Sequence, residues 1–145
     1  MSLKVFAISA ALFTIAAGSA YAGTVDFEAT LKGSDEVPPT TSTATGTLHA
    51  SLDTKAKVLT YDVHFTGLTG PAIAAHFHGP AAPGVNAPPV IPMTVLTSPI
   101  EADHVLTDAQ MADVMAGKWY FNIHTTANPA GEIRGQVVRK RSSFF

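Results

Sequence analysis

Apolar and polar residues alternate along most of this chain, and a period of two is the mark of an extended strand with one face buried and the other wet. From Val25 to Leu31, the residues Val25, Phe27, Ala29 and Leu31 share one face, with Asp26, Glu28 and Thr30 opposite. Thr45 to Leu52 sets Leu48, Ala50 and Leu52 against Thr47, His49 and Ser51, and Val58 to Phe65 sets Leu59, Tyr61, Val63 and Phe65 against Thr60, Asp62 and His64. Ile73 to His78 repeats the pattern with Ile73, Ala75 and Phe77 inward. Two late runs follow: Trp119, Phe121 and Ile123 oppose Tyr120, Asn122 and His124, and Ile133, Gly135 and Val137 oppose Glu132, Arg134 and Gln136. A further short strand is expected within Val90 to Leu96. About seven short strands separated by turn signals predict an all-β fold, a Greek-key antiparallel β-sandwich or barrel.

The punctuation supports that reading. Asp53-Thr54-Lys55-Ala56 reads as a hairpin loop, Glu36-Val37-Pro38-Pro39 as a stiff loop in which Asp35 and Glu36 form a solvated turn, and Gly67-Leu68-Thr69-Gly70 as a tight turn. Half of the stretch from Gly79 to Pro92 is Pro or Gly, which predicts a rigid, irregular loop. One short helix is signalled. Thr107 is an N-cap with Gln110 completing a capping box, Leu106 and Met111 form a hydrophobic staple, and Gly117 suits the left-handed position after the helix.

The N-terminus has a different character. Lys4, an apolar run from Val5 to Ala17 and the small residues Ala20 and Ala22 flanking Tyr21 make the pattern of a secretory signal peptide over residues 1–22, cut after Ala22. The domain then spans residues 23–138, followed by a basic tail, 139–145, with Arg139-Lys140-Arg141 leading to Ser-Ser-Phe-Phe. No second apolar stretch follows that would span a membrane. The expected location is secreted or periplasmic. The absence of cysteine excludes disulfides and thiolate ligands, so packing alone holds the fold. Of 9 basic residues one, Lys4, leaves with the leader, so the 11 acidic side chains outnumber the rest and no nucleic-acid surface is expected.

His76-Phe77-His78 is the sharpest chemical feature. On a strand, residues i and i+2 project from one face roughly 7 Å apart at Cα, within reach of a common ion held through metal–nitrogen bonds of about 2 Å. His124 faces outward on a late strand and is the third candidate ligand; His64 or His104 is a candidate fourth, His104 being placed in the loop before the helix. If Gly67 to Gly70 closes a hairpin, Asp62 lies opposite His76, where its carboxylate accepts an imidazole N–H and fixes the tautomer. Neutral imidazoles without thiolates suit copper or zinc, with copper ahead in affinity.

These residues carry a resemblance. Phe27 to Leu31, Glu36-Val37-Pro38-Pro39, Ala44-Thr45-Gly46, Leu59-Thr60-Tyr61, Gly67-Leu68-Thr69-Gly70, Ala75-His76-Phe77-His78-Gly79-Pro80-Ala81, Asn122-Ile123-His124-Thr125 and Asn128 to Gln136 together resemble the CHRD domain, a module named from chordin. A fainter likeness is to the copper site of Cu/Zn superoxide dismutases, where an H-x-H strand and a later histidine hold the ion. That likeness implies copper on His76, His78 and His124, an anion-guiding role for Arg134, and superoxide as a reaction partner. The loop after His78 carries no histidine cluster for zinc, so a copper-only site is implied.

The expected function is copper binding by an exported protein. Copper-only dismutase-like turnover, copper buffering or delivery, and a metal-free structural module are the alternatives the residues leave open. Intact-mass analysis of the exported protein is expected to find a chain that begins at Gly23; a mature chain that retains Met1 would exclude the leader.

Overall fold

Each alternating run becomes the strand its pattern predicts. The computed structural model describes residues 23–141, so the proposed leader and the last four residues of the tail lie outside the described residues. The strands are β1 (Thr24–Lys32), β2 (Thr45–Asp53), β3 (Val58–Thr66), β4 (Ala72–His78), β5 (Pro89–Pro92), β6 (Ile100–Val105), β7 (Trp119–Thr125) and β8 (Ile133–Arg139), with α1 (Asp108–Met115) between β6 and β7. They form one antiparallel sheet in the order β5-β4-β7-β8-β1-β2-β3-β6.

That sheet curls on itself. β3 and β4 stand near opposite ends of the strand order, yet Tyr61 and Phe77 meet edge to face with ring centroids 5.0 Å apart. The predicted inward residues of β1, β2, β3, β4, β7 and β8 line the concave side as a single core, with Trp119, Phe27, Phe77, Phe121, Leu31, Leu48 and Leu59 fully buried; Ile73, expected inward, is instead exposed where the β4–β7 register shifts between Ala72 and Ala74. Burial of each such side chain contributes roughly 1.5–3 kcal/mol, which replaces the crosslinks the chain lacks. The all-β sandwich or barrel-like class is therefore the one observed, with eight strands and one helix.

Three expectations are corrected. Gly67 to Gly70 does not close a hairpin: β3 pairs with β2 and β6, β4 pairs with β5 and β7, and the chain crosses from one flank of the sheet to the other. The segment holding His104 is not a loop but strand β6. It escaped the pattern because Glu101 to Val105 are all solvent-exposed, so neither face needs apolar residues. The strand expected within Val90 to Leu96 is shorter and earlier, Pro89–Pro92. The sheet's two outer strands differ in chemistry, with Pro89 and Pro92 on β5 and Glu101 and Asp103 on β6.

The helix is as predicted. Thr107 Oγ1 accepts from the Gln110 N–H at 3.2 Å, and Gln110 Oε1 accepts from the Thr107 N–H at 2.9 Å. At the other end Gly117 takes φ 70°, with Gly117 N–H bonded to Val114 O and Lys118 N–H to Asp113 O, a Schellman closure.

Glu132, fully buried at the start of β8, ties the loops together. Its carboxylate accepts from Ser42 Oγ at 2.7 Å, Thr125 Oγ1 at 2.6 Å, Thr69 Oγ1 at 2.8 Å and the Thr69 N–H at 2.9 Å. Burial alone would raise its pKa, but these four donors outweigh it and hold the group at about 2. Because the folded-state value is depressed, the stability it contributes is complete above the ordinary 4.5 and is lost as pH falls from there towards 2. Glu132→Gln is expected to cost roughly 2–3 kcal/mol in urea denaturation at neutral pH. It should also flatten the acid limb of the stability curve, whereas an unchanged limb would mean that other carboxylates set it.

Candidate metal centre

The β4–β7 pairing lays out the site. Ala74 lies opposite His124, His76 opposite Asn122 and His78 opposite Tyr120. Cross-strand partners share a face, so the three histidines occupy the convex side of the sheet while Phe77, Phe121 and Ile123 point into the core. On the next strand Arg134 stands opposite Asn122 and Gln136 opposite Tyr120, which extends the same polar face.

His76, His78 and His124 each offer one nitrogen, and these three atoms lie within 4.8 Å of one another, the only such group of His, Cys, Asp or Glu among the described residues. His76 Nδ1 and His124 Nε2 are 3.2 Å apart. Two ligands about 2.0–2.1 Å from one ion at a near-tetrahedral angle would be separated by roughly 3.3 Å, so this pair is already spaced for a shared cation. The hydrogen bonds choose the ligand atoms. Pro129 O lies 3.0 Å from His124 Nδ1 and Ala87 O lies 2.8 Å from His78 Nδ1. A peptide carbonyl only accepts, so both Nδ1 atoms carry the proton and both Nε2 atoms present lone pairs, His124's towards His76 Nδ1 and His78's towards the Asn122 side chain.

Electrostatics favour neutral rings. Desolvation lowers the His76 pKa, and His124 and His78 beside it lower it further. Desolvation also lowers the His78 value, against the opposing hydrogen bonds to Ala87 and Asn122. A ligand-ready imidazole is a neutral one, and these shifts move His76 and His78 towards it.

The Pro/Gly-rich loop 79–92 covers part of this face, and the side chains beneath fasten it. Arg134 Nη1 donates to Asn86 Oδ1 at 2.9 Å and Nη2 to Val85 O at 2.7 Å, while the guanidinium carbon lies 3.4 Å above the Tyr120 ring. Tyr120 in turn stacks on His78, ring centroids 4.7 Å apart and 3° from parallel. Gln136 Nε2 donates to Ala81 O at 3.0 Å. His78 thus lies beneath the loop at 8% exposure, while His76 and His124 remain half-buried at its border.

Glu36 enters the same layer from the Glu36-Val37-Pro38-Pro39 loop at 4% exposure, and its Oε1 finds no hydrogen-bond partner. Burial pushes its pKa up to about 7 despite a hydrogen bond with the Asn122 side chain, the charge of Arg134 and the Val37 backbone, all of which lower it. Asn122 continues the chain, its Oδ1 2.9 Å from His78 Nε2. Gly131, at φ 130°, makes room for the carboxyl: a Cβ there would overlap Glu36.

The model of the CHRD domain family matches residues 27–137. This chain is a member of the CHRD domain family. No curated protein and no solved structure matches it.

Several sequence-predicted residues fall elsewhere in this CHRD domain. Asp62 is not opposite His76; it pairs with His49 and Glu101 across the β2–β3–β6 region and lies 3.6 Å from His64 Nε2. The error was the assumed β3–β4 hairpin. His64 and His104, on β3 and β6, are not in the cluster. Arg134 does lie behind the site, but at 2% exposure with its donors on Asn86 and Val85 it holds the loop rather than guiding anions from solvent. Glu36 is no solvated turn. Its one sequence signal was an acidic residue within a motif block that also contains two prolines, and its partner Gly131 comes from a distant block.

Gly131→Ala is expected to displace the Glu36 carboxyl and to cost roughly 2–4 kcal/mol by chemical denaturation. Gly84→Ala is the comparison, at φ 79° with open space around its Cβ, and should lose only about 1 kcal/mol. Equal losses in the two variants would mean that backbone strain alone is at work.

Proposed function

We propose that this protein is an exported copper-binding CHRD-domain protein, in which His76 Nδ1, His78 Nε2 and His124 Nε2 hold one copper ion. The observation that carries the reading is the convergence of one ring nitrogen from each of three histidines within 4.8 Å, with carbonyls on His78 Nδ1 and His124 Nδ1 that leave both Nε2 atoms unprotonated. From 4.8 Å the widest pair need close by only about 1.5 Å, a side-chain rotation, to meet on an ion. Three imidazoles with no thiolate or carboxylate among the ligands support copper over the hard cations, and intrinsic affinity supports it over zinc. The N-terminal leader pattern supports export, and among the described residues no helix is long and apolar enough to cross a membrane.

Bound copper would supply a one-electron couple. Half-buried His76 and His124 at the border of the loop favour a small molecule reaching the ion, and superoxide is the partner of that kind implied by the likeness to dismutase copper sites. The buried state of Arg134 weighs against catalysis and towards holding or handing on the metal. Storage or delivery is therefore the leading reading, and dismutation the second.

Purified mature protein is expected to take up one copper(II) per chain. His76→Ala and His124→Ala should each weaken uptake by at least about 100-fold while leaving the fold intact. A folded protein without stoichiometric uptake would leave the CHRD domain as a structural module. Copper-dependent acceleration of superoxide decay, lost in both variants, would promote the second reading over the first.

A further inference from the structure

We propose that Glu36 releases its proton when a cation occupies the three histidines, with the Asn122 side chain carrying the change from His78 to the carboxyl. The inference rests on the metal-holding reading of the site and adds to it a group that touches no ligand. Its starting point is a mismatch of donors and acceptors. His78 faces two oxygens at once, Ala87 O at 2.8 Å from Nδ1 and Asn122 Oδ1 at 2.9 Å from Nε2. A neutral ring has one N–H to give. The peptide carbonyl is fixed, so the proton stays on Nδ1 and the amide must turn, presenting its NH2 to the Nε2 lone pair.

That turn has a consequence at the other end of the amide. Its oxygen then faces Glu36, and an oxygen facing a carboxyl is satisfied only if the carboxyl is protonated. Glu36 is suited to that state: buried at 4% exposure, with Oε1 lacking any partner and a pKa of about 7. A cation on His78 Nε2 reverses each step. The lone pair goes to the metal, the amide NH2 is released and turns to the carboxyl, and Glu36 gives its proton to solvent as a carboxylate. His78 is neutral throughout. The new negative charge lies in the same buried layer as the cation and Arg134, where two positive charges would otherwise share a site of low dielectric.

The groups around Glu36 allow this coupling to be read cleanly. β8 contributes Arg134, which is permanently charged, and β7 contributes Asn122, which does not titrate. The loop at Gly131 brings Glu132, which its own four donors hold ionised at neutral and mildly acid pH, the covering segment Pro83–Gly84 brings no ionisable side chain, and on its own loop the neighbour is Asp35.

The test is calorimetric titration of the mature protein with copper(II) in buffers of differing ionisation enthalpy, comparing wild type with Glu36→Gln. Near pH 6 the wild type is expected to release about one proton more than the variant per copper bound, and the difference should shrink as pH rises and Glu36 ionises before copper is added. Infrared difference spectra of the wild type alone give a second readout that does not depend on the variant folding. Near pH 6 a carboxylic acid C=O band should be lost as copper is added. Tight copper binding with equal proton release in both proteins, or with no loss of that band, would overturn the proposal and leave the three-histidine site standing. Absence of copper uptake by the folded wild type would overturn both.

Discussion

The antiparallel register of β4 against β7 is the constraint on which the candidate site depends. With Ala74 opposite His124 and His76 opposite Asn122, the two H-x-H imidazoles and the late histidine become diagonal and same-strand neighbours on one face. A slip of one residue would turn β7 over, placing Ile123 where His124 stands and His124 in the core. The core therefore enforces the chemistry. Phe77, Phe121 and Trp119 pack as a cluster of rings on the concave side, with Phe77–Phe121 centroids at 5.0 Å and Phe77–Trp119 at 5.6 Å. Their burial fixes which atoms emerge on the convex side.

The convex face near the site is not an ordinary wet surface. Tyr120, Asn122 and Arg134 are nearly as buried as the core, because loop 79–92 lies over them and spends its carbonyls on their donors. The result is a second, polar interior outside the sheet, in which a guanidinium, a carboxyl, an amide and an imidazole each depend on the others for hydrogen bonds. Such layers are costly unless nearly every member is partnered, and the unpartnered Glu36 Oε1 is the exception within this layer.

The fold was legible because its main signal is local. Leu48, Ala50 and Leu52, or Leu59, Tyr61 and Val63, declare a face without reference to anything distant, and Thr107 with Gln110 declares a helix start from four residues. The pairing of His76 with His78 was legible for the same reason, since i and i+2 on a strand must share a side, and His124 was legible as outward-facing on its own strand. What failed was nonlocal. Gly67 to Gly70 has the same composition whether the chain reverses or crosses over, so Asp62 was assigned to the wrong neighbour. Glu36 and Arg134 read as surface charges because their burial depends on a loop and a glycine far along the chain. Strand β6, exposed along Glu101 to Val105, had no alternation to display.

The open sheet has two flanks, and their chemistry bears on how the molecule behaves in a crowd. Pro89 and Pro92 take away the backbone donor at each end of β5, and Glu101 and Asp103 give β6 like charges that would oppose a second copy meeting it strand to strand. A chain so rich in β-structure, with no crosslink to keep it closed, thereby carries on each flank a feature that opposes growth into stacked fibrils.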